Sequence, residues 1–72
     1  MIDEMRTFNV EGKIIEVLAS YQIAHVRTPD GSTYGLNRQT PGVKFEELQQ
    51  GQRLRLAVTA KFGRVLHAQL VG

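Results

Sequence analysis

The sequence predicts an all-β protein, a small antiparallel barrel of five strands with one short helical turn between the third and fourth strands. Three observations support this prediction. Residues 53–59 place leucine or valine at every second position, which is the period of a half-buried strand. Pro29-Asp30-Gly31 separates two other runs of β character, and Asp-Gly in that setting is a strong hairpin signal. The 72 residues contain no cysteine, so the fold must depend on packing without disulfides.

The first strand is predicted at residues 7–18. Its apolar side chains change phase between Ile14 and Ile15, which indicates a β-bulge of the kind that bends a strand around the corner of a small barrel. Within this strand Gly12 has no side chain to pack, so we expect another backbone to approach closely at that position.

The second and third strands flank the Pro-Asp-Gly turn and are predicted at residues 21–28 and 33–37, after a connection at residues 19–20. Because side chains alternate along a strand, the second strand has an inward set of Ala24, Val26 and Thr28. Its outward set is then Ile23, His25 and Arg27. The third strand directs Tyr34 and Leu36 inward.

The second half of the chain begins with a helical or 3₁₀ turn at residues 45–48, which places Phe45 and Leu48 on one side. The fourth strand, residues 53–59, directs inward Leu54, Leu56 and Val58. After a hairpin turn at residues 61–64, the fifth strand runs over residues 64–71 with the inward set Leu66, Ala68 and Leu70. A barrel of the OB type, closed so that no strand edge is exposed, fits this order of elements best, and an SH3-like barrel is the alternative.

Composition limits the classes of function. We expect one domain at residues 7–72 after a flexible tail at residues 1–6, and no stretch has the roughly 18 apolar residues of a membrane span. The N-terminus lacks the apolar segment of a signal peptide, so a cytoplasmic location is expected. Two histidines and no cysteine predict neither a metal site nor a cofactor, and no nucleophile or phosphate-loop motif indicates an enzyme.

Several segments resemble bacterial cold-shock domains. Residues 11–14, Glu-Gly-Lys-Ile, look like the opening strand of that family, and residues 28–32 resemble its turn after the second strand. Residues 45–52, Phe-Glu-Glu-Leu-Gln-Gln-Gly-Gln, are similar to its Phe-x-x-Leu-x-x-Gly-Gln segment, and residues 68–71 look like its closing strand. The pattern Glu-Gly-x-Ile-x-Glu-x-Leu at residues 11–18 also resembles bacterial translation initiation factor one. Both resemblances imply an OB-fold that binds RNA or single-stranded DNA.

The sequence departs from the cold-shock pattern at the aromatic side chains on which that family stacks bases. Ile23 and His25 occupy the outward phenylalanine positions of its first signature, and Glu16 stands where it has an exposed tryptophan. Stacking contributes about 1–3 kcal/mol per base, so we expect binding that depends more on charge than on stacking.

The formal charge of +2 is small, but basic residues concentrate in or beside the predicted strands. They predict a nucleic-acid surface that also includes His25 and the exposed aromatic or apolar side chains nearby. Its candidate residues are Lys13, Tyr21, Ile23, His25, Arg27, Arg38, Arg53, Arg55, Lys61, Phe62 and Arg64. The alternative is a protein–protein interaction module, in which Ile23 and Phe62 contact a partner protein. The sequence alone leaves both open.

Overall fold

A computed structural model describes residues 6–71 as five antiparallel strands and one 3₁₀ turn. The strands are β1 (Thr7–Leu18), β2 (Ile23–Arg27), β3 (Thr33–Asn37), β4 (Arg53–Thr59) and β5 (Val65–Leu70), and the 3₁₀ turn is Phe45–Glu47. The predicted all-β architecture and the position of the helical turn are confirmed. Apart from Arg6, the predicted tail lies outside the described residues.

The long strand β1 lies at the centre of the sheet, whose order is β3-β2-β1-β4-β5. Its first half, Thr7 to Lys13, pairs with β4, and its second half, from Lys13 to Leu18, pairs with β2. The register shifts between Ile14 and Glu16, so the predicted bulge is present. Because β1 pairs with β4 along its first half and with β2 along its second half, a bulge close to the junction of the two halves allows the sheet to curl around a single core.

Gly12 marks the closest approach of β1 to β2. A Cβ atom at this position would lie 2.6 Å from Val26 Cγ1 and 2.8 Å from the carbonyl oxygen of Arg27. Neither distance is compatible with an ordinary contact, and one of the neighbours is backbone that cannot rotate away. The predicted close approach is confirmed, and the space there accommodates only glycine without displacement of β2.

The sheet curls into a half-barrel rather than closing completely. Strands β3 and β5 form its two edges, and no hydrogen-bonded ladder joins them within residues 6–71. The β4–β5 hairpin reaches β3 at Gly63, which lies beside the ring of Tyr34. The connection after β3 covers part of the other edge, because Ala68 N donates a 2.9 Å hydrogen bond to the carbonyl oxygen of Pro41. The predicted curled sheet of five antiparallel strands is thus confirmed, whereas the predicted complete closure of the barrel is not found within residues 6–71.

The concave side of the sheet holds the core. Three residues of β4, Leu54, Leu56 and Val58, have no exposed surface, as the alternation predicts. The buried hydrophobic side chains are Ile14, Ala24, Val26, Leu36, Phe45, Leu48, Leu54, Leu56, Val58 and Ala68. The 3₁₀ turn contributes the buried side chain of Phe45 to this core, and Leu48, which follows the turn, is also buried.

Strand β2 is shorter than predicted, because residues 19–22 form a turn. The N–H of Tyr21 donates to Leu18 O and that of Gln22 to Ala19 O, and Gln22 has a positive φ of 56°. The strand consequently begins at Ile23, and it ends at Arg27, one residue before the predicted end.

Two inward assignments on β5 are wrong. Leu66 is 42% exposed, because the pairing passes directly from Ala57–His67 to Val58–Val65 and leaves Leu66 in a bulge without a partner. Leu70 lies opposite the buried Leu54 but remains 41% exposed, since β5 is an edge strand. The strand itself is Val65–Leu70, one residue shorter than predicted at each end.

Candidate nucleic-acid interface

Three basic residues form a row across the outer face of the sheet. Arg27 of β2 lies opposite Lys13 of β1, and Lys13 lies opposite Arg53 of β4. All three residues are exposed, and none of their side chains makes an ion pair or hydrogen bond with residues 6–71. We call these three residues the cationic row. Like charges at directly opposed positions of a sheet repel one another, so the row is an unfavourable arrangement in the free protein.

A groove of about 360 Å³ lies along the cationic row. Its remaining walls are largely apolar and come from Gly12, the bulge residue Ile15, and Thr28 and Pro29 at the start of the turn after β2. Within residues 6–71, Glu11 is the one acidic residue that lines it. The groove therefore combines three cations that have no acidic partner in the described part of the chain with a mainly hydrocarbon floor.

The neighbouring charges of the same face are paired. Arg55 Nη2 lies 2.9 Å from Glu11 Oε2 across β4 and β1. His25 Nδ1 lies 2.6 Å from Glu16 Oε2 across β2 and β1. The second pair depends on the bulge, because an uninterrupted ladder would place Ile15 opposite His25. Sequence reasoning missed both pairs, since it could assign side chains to a face but not to a register.

Two aromatic side chains project from loops beside β2 and β3. Tyr21, in the β1–β2 turn, is 74% exposed, and Phe62, in the β4–β5 hairpin, is 75% exposed. The ammonium nitrogen of Lys61 lies 5.5 Å from the centre of the Phe62 ring, within the range of a cation–π contact. Neither residue belongs to the hydrophobic core or packs against it.

The other predicted residues lie around the same face. Ile23 is exposed beside its cross-strand neighbour Leu18. Arg38 shares a shallow depression with Tyr21 and Ile23, and its guanidinium lies 3.6 Å from the carboxylate of Glu46. Arg64 follows the hairpin tip and lines a separate depression between β3 and β5. Neither Arg38 nor Arg64 belongs to the cationic row, although sequence reasoning placed all of these residues on one surface.

The turn that forms one wall of the groove is held by side-chain hydrogen bonds. Thr28 Oγ1 donates to the carboxylate of Asp30, and the backbone N–H of Ser32 donates to it over 3.0 Å. These donors, with Thr28 contributing most, hold the pKa of Asp30 below its ordinary value of 3.8. Gly31 supplies the positive φ of 91° that the predicted Asp-Gly turn requires. The wall of the groove is therefore a defined turn.

Residues 6–71 contain neither a metal-binding cluster nor a membrane-spanning helix. Within residues 6–71, no group of three or more histidine and acidic side chains is arranged to hold a metal ion. That part of the chain also contains no helix of the length and hydrophobicity needed to cross a bilayer. The chain matches no protein-family model, no curated protein and no solved structure.

Proposed function

We propose that the half-barrel is of the OB type and binds single-stranded nucleic acid, RNA or DNA, without catalysing a reaction. The OB-fold is a five-stranded, partly open Greek-key barrel that binds oligonucleotides on its strand 2–3 face, between the β1–β2 and β4–β5 loops. The strand order, the open seam between β3 and β5, and the 3₁₀ turn between β3 and β4 support this assignment.

The observation that carries the proposal is the position of the two exposed aromatic residues. Tyr21 and Phe62 lie on the two loops that flank the strand 2–3 face in an OB-fold, and basic residues are close to each of them. Aromatic faces stack on bases while cations contact phosphates, and the combination is typical of proteins that bind single strands with little sequence preference. The carboxylate of Glu16, which would otherwise repel a phosphate from this face, lies 2.6 Å from His25 Nδ1 and so has a partner within the sheet.

The test is a titration of the 72-residue chain with fluorescently labelled single-stranded oligonucleotides at several salt concentrations. Contact with about four phosphates should give a slope of log affinity against log salt of roughly −3. Tyr21→Ala and Phe62→Ala should each weaken binding by about fivefold or more while the slope stays the same, because stacking releases no counterions.

Phe8→Ala is the matched control, since Phe8 is an exposed aromatic residue of β1 with the inward parity of Val58, away from the outer face. Equal losses for Phe8→Ala and Tyr21→Ala would contradict the proposed interface. The absence of binding at about 50 mM salt and tens of micromolar protein would overturn the function itself, because even non-specific binders are visible under such conditions.

A second candidate is a protein–protein module, favoured by the exposed neighbours Leu18 and Ile23 on the same face. Exposed apolar residues at neighbouring positions of a sheet can form part of an apolar patch, and such patches mark interaction sites. If oligonucleotides do not bind, Ile23→Asp and Phe62→Ala variants compared in a pull-down from cell extract test this candidate, which predicts loss of the captured partner.

A further inference from the structure

We infer that the groove beside the cationic row is a subsite for one nucleotide, with its phosphate on Lys13, Arg27 and Arg53 and its base and sugar on the apolar floor. The inference rests on the proposed function and deepens it. It assigns a single nucleotide to a part of the outer face that is distinct from the loops that carry Tyr21 and Phe62.

The first argument is the charge of the row. Three directly opposed cations on β2, β1 and β4 have no anionic partner within residues 6–71. Other residues on the same face do have acidic partners. On the same face Glu11 is held by Arg55, and Glu16 is held by His25. An anion bound at the row would remove the mutual repulsion, and a phosphate offers enough oxygen acceptors to contact more than one of these donors.

The second argument is the shape and the chemistry of the groove. Its volume of about 360 Å³ falls within the range of small-ligand sites, which are mostly apolar with a few polar groups that orient the ligand. Gly12 adds no side chain to the groove, and Ile15 and Pro29 supply hydrocarbon surface to its lining. A bare phosphate would use the cations alone, whereas a nucleotide uses both the cations and the floor.

The third argument concerns how the groove is built. The bulge places Ile15 at the groove, while Gly12 allows β2 to approach β1 closely enough for Arg27 to stand beside Lys13. The hydrogen-bonded turn from Thr28 to Ser32 then fixes Pro29 as one wall. Backbone features that do not depend on a ligand therefore position each part of the groove in advance.

The test is a titration of the isotope-labelled protein with uridine monophosphate and, separately, with inorganic phosphate, followed by nuclear magnetic resonance at low salt. We expect the nucleotide to shift the amide signals of Lys13, Ile15 and Arg53, and to bind more tightly than phosphate. Arg53→Ala should weaken nucleotide binding by about tenfold, as the loss of a charge-assisted hydrogen bond does. Ile15→Ser should weaken binding of the nucleotide but not of phosphate.

Lys44→Ala is the matched comparison, because Lys44 is an exposed basic residue before the 3₁₀ turn and lies outside both the cationic row and the groove. It removes one positive charge, as Arg53→Ala does. It should change nucleotide affinity by less than about twofold, which is the size of a change in screened long-range charge.

The outcomes separate this inference from the proposed function. Equal losses for Arg53→Ala and Lys44→Ala, or equal affinity for nucleotide and phosphate, would overturn the nucleotide subsite even if labelled oligonucleotides bind. Failure of the oligonucleotides to bind would overturn the proposed function and the subsite together. A larger loss for Arg53→Ala than for Lys44→Ala with an oligonucleotide as well would support the subsite as part of the strand-binding surface.

Discussion

The inner and outer faces of the same strands are governed by different constraints, and β4 shows the contrast most directly. Leu54, Leu56 and Val58 have no exposed surface, whereas Arg53 and Arg55, which alternate with them, are exposed to solvent. On the inner face, every side chain must fill a space that its neighbours define. On the outer face, a side chain is constrained mainly by the charge of the residues opposite it in the register.

The difference shows which positions specify the fold and which remain available for function. The inner face buries eight apolar side chains of the strands, together with Phe45 and Leu48 from the β3–β4 connection, and this burial favours a curled sheet. Nothing in that packing requires three cations on the opposite face that lack an acidic partner within residues 6–71, and their repulsion lowers stability. The cationic row is not required by the fold and slightly destabilises it. This is the physical reason for proposing that the row binds a ligand.

The largest effect is expected for a truncation on the inner face. Leu56→Ala should reduce the free energy of unfolding by about 2–5 kcal/mol, because it removes transfer free energy and leaves a cavity. A domain of this length has about 4–11 kcal/mol in total, so the variant would be close to unfolding. Urea denaturation measures the change.

Leu66→Ala is the control, since the bulge leaves Leu66 exposed, and it should lower the free energy of unfolding by less than about 1 kcal/mol. Equal costs would contradict the burial assigned to β5.

An intermediate effect is expected where the backbones of β1 and β2 meet. Gly12→Ala should destabilise the protein by about 1–3 kcal/mol, the usual cost of overpacking, because the added methyl group would collide with Val26 and with the backbone of Arg27. This outweighs the gain of about 0.4–1 kcal/mol that Gly→Ala brings by restricting the unfolded chain.

Gly35→Ala is the matched control for that substitution. Gly35 also lies within a strand, but a Cβ there would meet nothing within 4 Å, so we expect unchanged or slightly higher stability in the same urea experiment. A stabilising Gly12→Ala would mean that β1 and β2 are farther apart than the structure shows.

The smallest effect is expected on the outer face, and it has the opposite sign. Lys13→Gln removes the central charge of the cationic row and should raise the stability by about 0.2–1 kcal/mol at low salt. For a domain of this size the melting temperature should rise by about 1–6 °C. The gain should disappear at about 1 M salt, where charges are screened over about 3 Å.

Arg55→Gln provides the comparison for the row, because it breaks the pair with Glu11 and should lower the melting temperature slightly or leave it unchanged. A lower melting temperature for Lys13→Gln at low salt would show that the row is not repulsive. It would remove the electrostatic argument for a bound phosphate.

Much of the fold follows from the sequence because its signals are local. The alternation of residues 53–59 determines which side chains of β4 are buried, and Asp30-Gly31 determines the turn between β2 and β3. The phase change after Ile14 correctly predicts the bulge of β1. Each of these features depends on residues a few positions apart, whose period or backbone freedom can be read directly.

Other features could not be predicted because they depend on how distant segments align. Leu66 has the inward parity of a regular strand, but the pairing of β5 with β4 places it in a bulge. Likewise, residues 21–22 have β character, yet the turn after β1 includes them and leaves Tyr21 exposed. In both cases the local preference is weak, and hydrogen bonding to a neighbouring segment decides the conformation.

The candidate site likewise depends partly on local sequence signals and partly on how the strands align. The sequence by itself identified Arg27 and Arg53 as outward basic residues, since each follows from the alternation of its own strand, and it included Lys13 among the candidate residues. Only the tertiary structure decided that they stand in one row while Arg55 and His25 have acidic partners. A shift of one residue in either ladder would give every charge a different neighbour, and the register is set by the packing of the whole core on the opposite face.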